Sequence, residues 1–298
     1  MATALIILPD FLLILLGLAL GRWYRYERDF WDGLERLIYF VLVPALLFRS
    51  LVRTPIELSS AAPLMLTGLG TMLAGMLLSY LAKHLFAAGP GLFASGFQCG
   101  FRFNTYVGLA IADSLNGTQG IAAMALIAGT MIPPANIASV WALARHSGAS
   151  GLTELARNPL IIATALGIVA NLSGLVLARP VDHFLDILAG ASLPMGLLAV
   201  GAGLKVMALR ESPAIMGYWL AVKLLAMPVI AWFLGHALGM RGVYLATAVM
   251  FAALPPASSA FILATRMGGE GRPVATLISI GTLLAMLTMP AWIAALGL

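Results

Sequence analysis

Apolar residues run along this chain in stretches of about twenty, separated by short clusters of charged residues, glycine and proline. A bilayer core about 30 Å thick needs roughly that many apolar residues per helix. Ten stretches qualify, at 4–22, 34–52, 62–84, 91–114, 119–145, 158–178, 182–207, 213–238, 242–266 and 272–296, here called spans 1 to 10. The pattern predicts an all-α polytopic membrane protein of 10 transmembrane helices with short loops. The longest loops follow span 1 and occupy HSGASGLTELAR at 146–157, and neither has room for a soluble domain. Span 1 reads as a retained helix and not a cleaved leader, because Asp10 interrupts its start and no small-x-small site follows.

Composition agrees: 61% of the 298 residues are apolar and 10% charged, whereas a soluble domain carries about 25% charged residues. A water-facing surface cannot be built from this, which excludes soluble enzymes, secreted disulfide scaffolds and disordered chains. Cys99 is the single cysteine and the four histidines are scattered, so no metal cluster is expected and no cofactor beyond a coupling ion, Na+ or H+. An intramembrane hydrolase would need a Ser–His pair or paired aspartates at depth; neither is present, so no enzymatic activity is expected. The net charge of +5 sits in loops and reads as topology, not as a nucleic-acid footprint.

Numbering the loops alternately puts Arg22, Arg25, Arg28, Arg36, Lys83, Arg145, Arg157, Lys205, Arg210, Arg266 and Arg272 on one side, and Arg49, Arg53, Arg179 and Arg241 on the other. Both termini are then expected outside the cytoplasm, in a bacterial inner membrane. Two basic residues remain, Arg102 and Lys223, and both fall inside the membrane. A cation at the midplane costs about 2.5–3.5 kcal/mol on insertion scales and is a functional hypothesis by default. Each has two readings: attraction of a carboxylate, or attachment to backbone carbonyls freed by a broken helix. Lys223 has a third, as a proton carrier when neutral.

Shifting the sequence by 150 residues aligns Pro9 with Pro159, Pro44 with Pro194, Pro63 with Pro213 and Gly17 with Gly167. A shift of 151 brings FRFNT (101–105) near ALPPASSA (253–260). Each half holds five spans, an odd number, so a duplicated half enters the membrane from the opposite side. The expected domains are a first five-helix repeat, 1–145, and a second inverted five-helix repeat, 158–298. Spans 4 and 9 carry polar or proline interruptions at their centres and are expected to break there. Unwound backbone at that depth survives only beside a cavity, and half-helix N-termini there favour an anion.

These residues carry a family resemblance. RFNTYVGLAIA (102–112) resembles the fourth-helix Asn-Thr-x-x-Gly-Leu stretch of the auxin efflux carrier family, which joins bacterial carboxylate carriers to the plant PIN-type auxin transporters. ALPPASSAFILATRMGG (253–269) is similar to its ninth-helix crossover, and YFVLVPALLF (39–48), ARNPLI (156–161) and LPMGLLAVGAGL (193–204) to its second, sixth and seventh helices. The resemblance implies two inverted five-helix repeats of the bile-acid-symporter and NhaA-like class, with broken crossover helices 4 and 9. It further implies a scaffold of helices 1, 2, 6 and 7, a transport domain of helices 3–5 and 8–10, and a homodimer through the scaffold. Where plant members have a proline in each crossover, this chain has Ala110 and Ala260, so Asn104, Pro255 and Pro256 are expected to shape the breaks. It also lacks the acidic side chain that serves sodium in the bile-acid symporters.

The expected function is secondary active transport of small organic anions, mono- or dicarboxylates, by elevator-type alternating access driven by proton motive force or membrane potential. A sodium-coupled organic anion symporter and a channel or receptor on the same fold are the alternatives. Substrate contacts are expected from Asn104, Thr105, Arg102, Ser258, Ser259 and Asn136, and helix breaks at Pro255, Pro256 and Gly108. Pro44 and Pro194 are expected to face the site from the scaffold, with Lys223 in a charge or proton role. The expected partners are the anion and membrane lipid.

Overall fold

The computed structural model describes residues 8–24, 26–53, 58–147, 159–204 and 212–296. Most of the 146–157 loop, and Arg25, Arg157, Lys205 and Arg210 of the charge count, lie outside them. All regular elements among the described residues are helical. A chain this apolar must satisfy its backbone internally once in lipid, and helices do that within one segment.

In chain order the helices are α1 (Leu8–Trp23), α2 (Arg28–Leu37), α3 (Val43–Arg53), α4 (Leu58–Leu85), α5 (Pro90–Gly96), α6 (Thr105–Ser147) and α7 (Pro159–Leu172). There follow α8 (Arg179–Ala202), α9 (Pro213–Ala221), α10 (Met227–Ala237), α11 (Gly242–Ala253), α12 (Ser259–Arg266) and α13 (Gly271–Leu296). Five stretches are long and apolar enough to cross a membrane: Ala61–Leu85, Pro90–Ala144, Arg179–Ala202, Pro213–Ala237 and Gly271–Leu296. The second is kinked at Gly117, whose φ of 54° is open to glycine at little cost.

Polarity is arranged for lipid. On α4, Leu66, Leu73 and Leu77 point outward while Thr67, Thr71 and Ser79 are buried. Small residues let neighbouring backbones approach. Gly68 abuts Ile127, Gly75 abuts Met227 and Gly96 abuts Trp219. The tightest seam joins α1 to α8, where a Cβ on Gly17 would strike the Leu198 carbonyl and one on Gly201 the Ile14 carbonyl.

Helix α1 packs on α8, and α3 on α7 and α8; a second group joins α4 to α10, α11 and α6, with α13 against α11 and α12. Helix α6 touches both groups, through α3 and α8 on one side and α4 and α11 on the other. At one end of the first group, Arg49 Nε meets Asp182 Oδ1 at 3.0 Å, Arg49 Nη1 meets Asp186 Oδ1 at 2.7 Å, and Arg53 Nη2 meets Asp182 Oδ2 at 2.8 Å.

Two helices widen locally. Ile38–Leu42, between α2 and α3, and Val222–Ala226, between α9 and α10, are π-turns closed by Val43 N–H to Ile38 C=O and by Met227 N–H to Val222 C=O. In each case a proline, Pro44 or Pro228, stands two residues beyond the turn. A proline supplies no N–H to the carbonyl four residues back, and the wider spacing absorbs the loss.

Candidate functional site

Two helices are interrupted deep in the fold, and the interruptions meet. The first follows α5 and a 3₁₀ turn, Phe97–Gly100, and leaves 101–104 outside any helix before α6 begins. The second separates α11 from α12 at 254–258, where Pro255 and Pro256 cannot continue the α11 ladder. The Asn104 N–H donates to the Pro255 C=O at 3.0 Å, joining one break to the other through backbone alone. Phe103 packs on Phe251 with ring centroids 4.4 Å apart.

Asn104 is buried, and its Oδ1 accepts from the Tyr106 N–H at 3.1 Å and the Val107 N–H at 3.3 Å, capping α6. That cap fixes the amide orientation and leaves Nδ2 as the free donor; among the described residues it has no hydrogen-bond partner. Arg102, 9% exposed, spans the two breaks. Its Nη1 donates to Gln98 Oε1 at 3.2 Å and its Nη2 to Ser259 Oγ at 3.1 Å. Gln98 in turn donates through Nε2 to the Ala260 C=O at 3.2 Å. No acidic side chain among the described residues forms an ion pair with Arg102 or Lys223.

The remaining expected residues are placed as follows. Thr105 and Ser258 are half-buried and Ser259 is exposed, all at the starts of α6 and α12. Pro44 is half-buried in α3 and Pro194 exposed in α8, two residues from Gly196, which receives the Tyr106 ring. Asn136 sits half-buried on the second limb of α6, after Pro133 and Pro134, which that limb carries without interruption. Lys223 is fully buried and donates to the Ala252 C=O at 2.8 Å.

Gly108 requires a correction. It was expected at a break, yet it lies in the first turn of α6 with its N–H bonded to the Asn104 C=O at 3.0 Å. The helix breaks earlier, at 101–104. What Gly108 supplies is space, since a Cβ there would stand 2.7 Å from Leu254 Cδ1 of the opposite break. Ala110 and Ala260 are likewise helical.

Gln98, Tyr39 and Tyr106 also join the site. Gln98 links both breaks, and Tyr39, on the first π-turn, lies close enough to Arg102 and Tyr106 to interact electrostatically with both. The proline at position 44 was the available signal for Tyr39, because a π-turn ahead of a proline turns side chains off the ordinary helical register.

Comparison with known proteins identifies the class. A family model described as "Membrane transport protein" matches residues 142–293, just over half of the chain. The chain belongs to the membrane transport protein family. A Rhizobium meliloti (strain 1021) protein carrying the provisional name malonate transporter is 28% identical over 307 residues, covering 95% of this chain and 92% of the relative. The uncharacterized transporter YfdV of Escherichia coli (strain K12) is 26% identical and covers 96% of this chain and 95% of its own length. A rice protein (Oryza sativa subsp. japonica), provisionally named auxin efflux carrier component 5c, is 29% identical over 163 residues, 53% of this chain and 43% of the relative. The resemblance to the auxin efflux carriers therefore holds, and the transporter is an integral membrane protein and not an enzyme.

Proposed function

We propose that this transporter is a secondary active carrier of small mono- or dicarboxylates, malonate- or malate-like or auxin-like, which bind where the two breaks meet. One observation carries the reading: the Asn104–Pro255 crossing holds an amide donor, Asn104 Nδ2, unsatisfied among the described residues, and the Arg102 guanidinium two residues before it has no acidic counter-ion among them. A carboxylate supplies both the acceptor and the charge such a place lacks. Thr105 and Ser258 flank it as hydroxyl donors at the starts of α6 and α12, where helix dipoles favour an anion. The name given to the Rhizobium meliloti relative points to the same chemistry.

The proposed architecture is ten crossings in two inverted five-helix repeats, 1–145 and 158–298. Its support is that exchanging the halves exchanges the packing: span 1 on span 7, α1 on α8, becomes span 6 on span 2, α7 on α3. The scaffold then comprises α1, α2, α3, α7 and α8, sealed by Gly17 and Gly201, and dimerises. The remainder moves against it in an elevator-type cycle driven by proton motive force or membrane potential. Both termini lie outside the cytoplasm in the inner membrane. On that side Arg49 and Arg53, exceptions to the inward bias of positive charge, are offset by Asp182 and Asp186.

The test is solid-supported-membrane electrophysiology on proteoliposomes, with malonate, malate, succinate, indole-acetate and taurocholate, each in sodium and in choline. Currents for a small carboxylate in choline that disappear in Asn104→Ala support the proposal. Currents that require sodium and survive in Asn104→Ala favour a sodium symporter and overturn the site. Substrate flux without accumulation against a gradient makes the protein a channel.

A further inference from the structure

Lys223 occupies an unusual position. It is fully buried on a π-turn, it forms no ion pair among the described residues, and its one strong partner is a backbone carbonyl on another helix. That carbonyl belongs to Ala252, in the last turn of α11, where the chain turns extended at Leu254 (ψ 144°) ahead of Pro255 and the helical ladder supplies no further N–H. A carbonyl loses its ladder partner once more nearby: Pro228 cannot serve the Leu224 C=O, and the Trp292 indole N–H takes its place at 3.0 Å. The neighbouring carbonyl of α11, on Phe251, accepts a long 3.4 Å bond from the Leu254 N–H. A neutral indole thus suffices at Leu224, whereas an ammonium stands at Ala252. The difference lies in what the carbonyl terminates. Leu224 is inside a helix that continues into α10, but Ala252 is at the carboxyl end of α11, where aligned dipoles sum to about half a negative charge.

Carbonyl ends of unwound membrane helices are where carriers seat coupling cations such as sodium. We propose that the Lys223 ammonium is the resident cation of this crossing, a positioning residue that holds the carboxyl end of α11 in the role a bound monovalent metal ion would otherwise fill. The second break then keeps its shape without sodium, and the Pro255 carbonyl stays in place to receive the Asn104 N–H. Lys223 acts through backbone and does not meet the anion, since it is fully buried while Thr105, Ser258 and Ser259 keep exposed surface. Its attachment to Ala252 is independent of the carrier reading; the sodium consequence rests on that reading.

The test uses the full-length protein in detergent and reads thermal unfolding. Lys223→Met keeps the bulk and removes the charge, and should lower Tm by roughly 5 °C or more. Pro255→Ala combined with Pro256→Ala lifts the restriction that holds Leu254 extended and lets α11 continue, returning an N–H to Ala252, so in that background the cost of Lys223→Met should fall by half or more. Lys223→Ala should regain Tm with propylammonium chloride, whose cation replaces the lost ammonium, and not with tetramethylammonium chloride, which has no N–H. An equal cost of Lys223→Met in both backgrounds, an equal response to both salts, or a parent-like Tm for Lys223→Met overturns the proposal. If Lys223→Met yields no folded protein, recovery of folded protein when it is combined with the two proline replacements supports the proposal, and its loss there overturns it. In proteoliposomes challenged with malonate, parent currents should be equal in sodium and choline, whereas those of Lys223→Ala should require added sodium or propylammonium. Absence of any malonate current in the parent bears on the carrier reading alone and leaves the thermal result standing.

Discussion

At 101–104 a helix is broken without a proline, by residues that satisfy one another locally: Asn104 caps the helix it opens, and Arg102 bonds Gln98 one turn back. At 254–258 the break is made by Pro255 and Pro256, and its carbonyls are satisfied from elsewhere, by the Asn104 N–H and the Lys223 ammonium. The first break is therefore rich in donors and supplies the second, while the second contributes shape and acceptors. The two breaks are thus chemically opposite partners. The proposed anion site rests on the first break, whose amide and guanidinium exceed the acceptors around them; the second alone would suit a cation.

The sharpest way to break this comparison is Asn104→Asp. The carboxylate retains the cap on α6 but loses the Nδ2 donor and adds a negative charge where an anion should bind. Folded yield and Tm should stay near the parent, within about 1 kcal/mol for a cap of equal quality, while carboxylate currents should fall below detection. Asn104→Ala loses both cap and donor and should reduce Tm as well. If Asn104→Asp transports normally, the first break is structural and the contrast between the two fails.

Arg102→Gln comes next. It removes the charge and the link to Ser259 but leaves an amide to face Gln98. A charge-assisted hydrogen bond contributes about 1.5–3 kcal/mol, so apparent affinity for malonate should fall by roughly tenfold or more. Stability should change little, because the amide keeps a donor for Gln98 Oε1 in place of the guanidinium. A large Tm loss with unchanged affinity would assign Arg102 to the frame.

Both breaks were legible in the sequence because polar residues and paired prolines stand out within apolar stretches, and Arg102 and Lys223 because charge at depth is rare. What each cation touches was not legible. Ser259 lies 157 residues from Arg102, and only the packing of one half on the other brings them together; Ala252 lies 29 residues from Lys223 within the same half, and their contact depends on how α11 packs against the π-turn ahead of α10. Gly108 was misjudged because a glycine near a break reads as a breaker, whereas here it makes room for Leu254. Tyr39 escaped notice since its position depends on a π-turn, which shifts the register that helical periodicity assumes.

A smaller effect is expected from Pro255→Ala combined with Pro256→Ala, which frees Leu254 from the extended conformation and makes the second break more like an ordinary helix. The restored N–H competes with Lys223 for the Ala252 carbonyl and lets α11 run one residue further. Tm should rise slightly or hold, as a proline removed from a helix path relieves strain, while the current falls by a few-fold because the Pro255 carbonyl shifts from Asn104.

The mildest variant is Ser259→Ala, which cuts the side-chain link between the breaks and leaves the backbone bond from Asn104 to Pro255 intact. Interhelical hydrogen bonds in membranes contribute about 0.6 kcal/mol on average, so the current should fall by less than about threefold. Arg102 retains Gln98, so its guanidinium stays at the first break. If the first break is self-sufficient, Ser259→Ala and Arg102→Gln should differ several-fold. Equal losses in the two would mean that Arg102 acts only through Ser259, and that the second break holds the chemistry assigned here to the first.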